Sequence, residues 1–181
     1  MKNSDILNNG PLKYKKFYQG HQVNYDYTET YIDLPSLAKT CGVLTNEIVE
    51  EDFETHFVVL TDLQDAITPC ISASILGVSI IYIRSRERVP EELIIDSITV
   101  NYNGEEKELC LLSNSFLSGH NAVYIDTNTT SLPIYMGIKE LLKRHGCILQ
   151  KAYFFSNETN VDRPDVWTVI KGGLKWKKKW I

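Results

Sequence analysis

Asp126-Thr127-Asn128-Thr129-Thr130-Ser131 is a run of residues equipped for chemistry. Five of the six carry a short hydroxyl or amide side chain, and the remaining one is a carboxylate. The run sits between an apolar, strand-like segment and a helix-like one. A helix begins with backbone N–H groups that have no partner inside the helix, and these amides together with the helix dipole favour an anion such as phosphate. The hydroxyls would add donors, and Asp126 could hold ribose hydroxyls or a magnesium ion. The same residues also make good N-caps, and on local sequence alone the capping reading is favoured.

Two other groups carry charge in a pattern. Arg84, Arg86 and Arg88 fall on alternate positions. They could meet a pyrophosphate or an acidic partner, or be solvated and balanced by Glu87, Glu91 and Glu92. The last eleven residues, 171–181, hold five lysines and no acid. Within them Trp176 and Trp180 are four apart, so one helical turn would put both on one face. Lys175, Trp176, Lys177, Lys178, Lys179 and Trp180 suit a nucleic acid, an anionic surface or an acidic groove on a protein partner. The plainer alternative is that the tryptophans pack back while the lysines stay solvated. The chain as a whole carries a formal charge of -4, which argues against nucleic-acid binding by bulk electrostatics.

Other chemistries find no footing. The four histidines are isolated, without metal spacing. Cys41, Cys70, Cys110 and Cys147 form no CxxC pair, and read as reduced thiols of a cytoplasmic protein. No phosphate-binding glycine loop of the Walker or GxGxxG kind and no nucleophile elbow occurs. The first residues lack the apolar core of a secretory signal, and no apolar run is long enough to span a bilayer.

The elements that must position these residues follow from periodicity. Tyr31 to Glu50 reads as a helix with Pro35 near its first turn. His56 to Leu60 reads as a buried strand, Ala66 to Leu76 as a helix stopped by Gly77, and Val78 to Ile83 as a second strand. Arg84 to Glu92 reads as a charged loop. Ile94 to Tyr102 and Lys107 to Leu112 flank Asn103-Gly104, a strong hairpin signal. Ala122 to Ile125 is a strand, Leu132 to His145 a helix with Pro133 at its start and Gly146 past its end, and Cys147 to Phe155 a further strand. Strands alternating with helices predict an α/β fold with a mostly parallel sheet covered on both faces. Its ligands would bind at the carboxyl ends of the strands, where the loops 61–65 and 126–131 lie. We read residues 1–170 as one domain with its core at about 56–155, followed by the basic tail 171–181.

In this order the motifs resemble those of the type I phosphoribosyltransferases, nearest to the adenine and xanthine enzymes. A strand ending in Asp126, then Thr129-Thr130, then a helix closing at Gly146, is similar to their signature for phosphoribosyl pyrophosphate. VVLTDLQDAITPCISASILGVSIIYIRSRERVPEE is similar to the segment bearing their pyrophosphate loop, with Arg84 matching the Arg of an Arg-Lys pair and Val89-Pro90 a Leu-Pro. The resemblance covers about residues 56–155. It implies that Asp126 is catalytic and, with Thr127, Asn128, Thr129, Thr130 and Ser131, holds ribose and 5-phosphate. Gln64, Asp65, Arg84 and Arg86 would face pyrophosphate, with magnesium if the protein is active. The hairpin would be a flexible hood and the protein a homodimer. The pattern also departs from the family's. Ile125 stands in place of a first acid, Ser131-Leu132-Pro133 in place of Gly-Gly-Thr, Gln64-Asp65-Ala66 near the expected glycine, and Ser85 in place of Lys. Glycines there let the backbone approach a phosphate, whereas Pro133 removes a donor. The expectation is a phosphoribosyltransferase-like protein without transferase activity, acting through a bound nucleotide or through a protein or nucleic-acid partner. The alternative is an active purine phosphoribosyltransferase.

Overall fold

The computed structural model describes residues 34–63, 66–112, 116–156, 159 and 161–170. The expected irregular segment before the first helix, Gln64, Asp65 and the basic tail lie outside these residues. The chain runs α1 (Leu34–Val49), β1 (Phe57–Thr61), α2 (Ile67–Leu76), β2 (Ser79–Ser85), β3 (Asp96–Tyr102), β4 (Glu105–Leu111), β5 (Asn121–Asn128), α3 (Leu132–Arg144), β6 (Ile148–Ser156) and β7 (Val166–Ile170). Short 3-10 turns at Arg86–Arg88, Glu91–Leu93 and Thr129–Ser131 join them.

The seven strands form one sheet in the order β3-β4-β2-β1-β5-β6-β7. β1 is parallel to β2 and β5, β5 to β6 and β6 to β7, while β4 runs antiparallel to β2 and β3. The parallel strands are apolar on both faces because helices cover both. On one face, Val59, Ile83, Tyr124, Leu149 and Phe154 pack with Ile134, Ile138, Leu141 and Leu142 of α3. On the other, Val58, Val123, Ile125, Tyr153 and Phe155 pack with Leu37, Cys41, Leu44 and Ile48 of α1 and Ala73 of α2. α3 owes its position to spacing: its buried residues Ile134, Tyr135, Gly137, Ile138, Leu141 and Leu142 recur at intervals of three and four, the period of one helical stripe.

Four differences from the sequence reading bear on the site. β2 does not stop at Ile83 but continues through Arg84 and Ser85, because these pair with Cys110 and Leu109 of β4. β5 does not end at Ile125, because Asp126 pairs with Phe154 and Asn128 with Ser156 of β6. Half of the supposed loop is therefore strand. β7 was not anticipated, although Val166-Trp167-Thr168-Val169-Ile170 has the β-branched and aromatic character of a strand. Finally, the Asn103-Gly104 hairpin does form, with φ of 55° and 81°, the pair of positive values a two-residue hairpin turn requires. It is the edge of the same sheet, paired along its full length from Asp96↔Leu111 to Tyr102↔Glu105. It also rests on α3, where a Cβ at Gly137 would overlap Val100 Cγ1.

Candidate functional site at the carboxyl edge of the sheet

β1, β2, β5, β6 and β7 all deliver their carboxyl ends to one edge. β5 brings Asp126 there as a buried residue, 5% exposed. Its Oδ1 accepts the backbone N–H of Thr127 at 2.6 Å and the Thr127 hydroxyl at 3.3 Å, while Oδ2 accepts the Tyr124 hydroxyl at 2.9 Å. Burial raises the Asp126 pKa above its ordinary value, with bonds from Ser131, Thr127 and Tyr124 opposing the rise. Tyr102, at the tip of the hairpin, is half-buried, and its own pKa is raised by burial and then by the Asp126 charge. The hairpin tip therefore lies within electrostatic range of this carboxylate.

The next residues fold into a turn that satisfies itself. Asn128 Oδ1 accepts the backbone N–H of Thr130 at 2.9 Å and also its hydroxyl. The Ser131 hydroxyl donates to the Asn128 carbonyl at 3.1 Å. Thr129 is buried, and its hydroxyl accepts both the N–H and the hydroxyl of Thr159, at 3.2 and 2.9 Å. That contact ties the β6–β7 connection to the turn. The same connection is held further on by Asp165, which accepts from Tyr135 at 3.0 Å, Lys139 at 2.7 Å and Arg163 at 2.9 Å. α3 then begins with Leu132 and Pro133 in its first turn.

The second cluster is centred on a residue the sequence reading did not single out. Asp62 follows β1 directly, and its side chain is 2% exposed. It accepts the backbone N–H and the hydroxyl of Ser85, both at 2.9 Å. Arg84 Nε lies 3.7 Å and Arg88 Nε 3.8 Å from Asp62 Oδ2. The Arg84 guanidinium also lies over the Tyr82 ring, 4.9 Å from its centre. Arg86 turns elsewhere, donating to the Val89 carbonyl at 2.9 Å and facing Glu91 and Glu108. The structure thus brings Asp126 through Ser131 together as expected, and places Arg84 and Arg86 in ion pairs with carboxylates of the chain itself. The signal for Asp62 was its place, a lone acid at the end of a buried strand.

A magnesium ion would find little in these residues alone. Among the described residues no group of three or more His, Cys, Asp or Glu side chains could hold a metal, and both Asp126 oxygens already accept protons from neighbours. Any magnesium would have to arrive on the phosphates of a ligand.

No family model matches the chain, and no curated protein matches it in sequence. Solved structures do. An adenine phosphoribosyltransferase from Thermoanaerobacter pseudethanolicus superposes with a TM-score of 0.60 at 16% identity, covering 78% of this chain and 88% of that one. The fold is that of the type I phosphoribosyltransferases. The Saccharomyces cerevisiae adenine phosphoribosyltransferase, complexed with an imino-altritol bisphosphate and adenine, gives 0.57 at 16% identity over 75% and 78% of the two chains. A hypothetical protein from Neisseria gonorrhoeae with bound ppGpp gives 0.53 at 9% identity over 78% and 82%. At such identities the likeness establishes the phosphoribosyltransferase fold and leaves the chemistry to the residues. No helix among the described residues is long and apolar enough to cross a membrane.

Proposed function

We propose that this chain is a phosphoribosyltransferase-fold protein without transferase activity, which acts in the cytoplasm by binding a phosphorylated nucleotide at the carboxyl edge of its sheet. The observation that carries the reading is the self-satisfied turn. Asn128 Oδ1 takes up the Thr130 N–H and hydroxyl, donors that a transferring 5-phosphate would otherwise use, and Asp126 is buried against Tyr124 and Thr127. Leu132 and Pro133 occupy the first turn of α3, where a side chain and a missing N–H both work against close phosphate approach. A ligand would therefore rest against the outer hydroxyls of Thr127 to Ser131 and the Arg84–Arg88 side of the edge. The solved relatives give this class of ligand a precedent: one holds adenine with a bisphosphate analogue and another holds ppGpp. The tail residues Lys175 to Trp180 belong to the same proposal as a contact for an anionic partner, protein or nucleic acid.

The second reading is an active purine phosphoribosyltransferase, favoured by the order in which β5 delivers Asp126 and then Thr129–Ser131 to the start of α3. In it, Asp126 would hold the ribose, Thr127 to Ser131 the 5-phosphate, and Arg84 with Gln64, Asp65 and Arg86 would face the magnesium pyrophosphate.

Calorimetric titration with phosphoribosyl pyrophosphate and magnesium, with purine monophosphates as competitors, tests the shared part. Saturable binding that Asp126→Ala weakens supports a working edge. Absence of binding at millimolar ligand would leave the fold as an inert scaffold and move the function to the tail.

A further inference from the structure

The eighteen residues from Ala66 to Ile83 contain no charged side chain. They make up α2, the turn at Gly77 and most of β2, and much of that surface faces outward. α2 buries Thr68, Pro69, Ser72 and Ala73 and exposes Cys70, Ser74 and Ile75, the last at 49%. β2 lies beside it. Ile80 pairs in register with Val58 and Tyr82 with Leu60, and Val58 packs with Ala73 of α2, so Ile80 and Tyr82 share the α2 side of the sheet. They are 36% and 44% exposed. A surface helix ordinarily carries charge on its outer face. An outer face of small and apolar groups that continues onto a strand is the signature of a surface covered by protein.

A second, independent feature lies at the same place. β4 covers the outer side of β2 only at Arg84↔Cys110 and Ser85↔Leu109, and ends at Leu111. The outer edge of Ser79–Tyr82 therefore has no strand beside it among the described residues. A bare strand edge is a template for another strand.

We propose that this face, α2 together with the open edge of β2, is the contact through which two copies of the chain form a two-fold dimer. The occupant follows from the charge. Interfaces between different proteins draw specificity from matched opposite charges, and this face has none to match. In a two-fold contact each patch meets its own copy, so a charged patch would oppose like with like. An uncharged patch does not, and two open edges related by a two-fold axis can pair antiparallel. Ile75, Ile80 and Tyr82 supply the apolar contact, and the small Cys70 and Ser74 allow the two α2 helices to approach. Arg84, stacked on Tyr82 and paired with Asp62, stands at the rim.

Sedimentation equilibrium of the full chain tests this, with Ile80→Lys and Ile75→Glu as variants. Both positions are exposed, so circular dichroism should report an unchanged fold. The expected result is twice the 20.7 kDa chain mass for the wild type and the single mass for the variants. Thiol labelling gives a second readout, because Cys70 is exposed while Cys41, Cys110 and Cys147 are buried. Labelling of Cys70 should slow several-fold on going from dilute to concentrated wild-type protein, and should stay fast at both concentrations in Ile80→Lys. A wild type that remains a monomer when concentrated, a dimer that survives both substitutions, or labelling independent of concentration would each overturn the assignment.

Discussion

Asn128 Oδ1 accepts the backbone N–H of Thr130 at 2.9 Å, so the last residue of β5 caps the turn that opens α3. The bond occupies with protein a donor that a phosphate-binding turn would present to its ligand. Replacing Asn128 by Ala should cost about 0.5–2 kcal/mol, the usual effect of losing a cap. Chemical denaturation of the variant measures it. A loss of that size with an unchanged far-ultraviolet spectrum would show that the side chain holds the turn, and a neutral result would show that it does not.

Asp62 should matter more than either arginine beside it. Its carboxylate is almost wholly buried and satisfies both the N–H and the hydroxyl of Ser85. Asp62→Ala leaves those donors unpaired, at a cost of about 1–3 kcal/mol. Arg88 is 63% exposed, and an exposed ion pair contributes about 0–1 kcal/mol. Thermal melts of the two alanine variants should therefore rank Asp62 well below Arg88 in remaining stability. Equal melting temperatures would contradict the placement of Asp62 at the centre of the cluster.

Asp165 gives the clasp over α3 a dependence on acid. The Arg163 hydrogen bond holds its pKa below the ordinary 3.8, burial opposes this, and Lys139 and Tyr135 reinforce it. A folded pKa beneath the unfolded one means the contribution is complete above about 3.8 and fades as pH falls toward the folded value. Wild-type stability should thus drop more steeply below pH 3.8 than that of Asp165→Asn, measured by denaturation at successive pH values. Parallel curves would contradict the clasp.

Gly137 is the point where the hairpin meets α3. A methyl group added there would overlap Val100 Cγ1, and overpacking of this kind costs about 1–3 kcal/mol. Gly137→Ala should lower the melting temperature, although alanine is the better helix former. Val100→Ala in the same chain should restore part of the loss, because it removes the overlapping atom.

The sequence made the sheet legible and left the site half-readable, for one physical reason. Apolar runs such as Val58-Val59-Leu60 and Ala122-Val123-Tyr124-Ile125 declare a buried parallel strand through composition alone, and Asn103-Gly104 declares its turn through the two positive φ values it requires. The ends of these strands are set by pairing with residues far along the chain. Asp126 and Asn128 belong to β5 because Phe154 and Ser156 stand opposite them, and Arg84 and Ser85 belong to β2 because of Cys110 and Leu109. Such partners leave no trace in the local pattern. The partners of Arg84 and Arg86 were hidden in the same way. Alternate arginines suggest a waiting anion site, whereas Asp62, Glu91 and Glu108 already face them. β7 was passed over because its five residues follow a polar stretch and precede the basic tail.

The central claim is that a turn occupied by its own side chains, with Asp126 buried behind it, does not transfer a phosphoribosyl group. The most direct test is to incubate the protein with phosphoribosyl pyrophosphate, magnesium and each of adenine, guanine, hypoxanthine and xanthine, and to measure released pyrophosphate. The account predicts no release above the protein-free background for any base. Release with any one of them, abolished by Asp126→Asn, would contradict it and establish the chain as a working transferase.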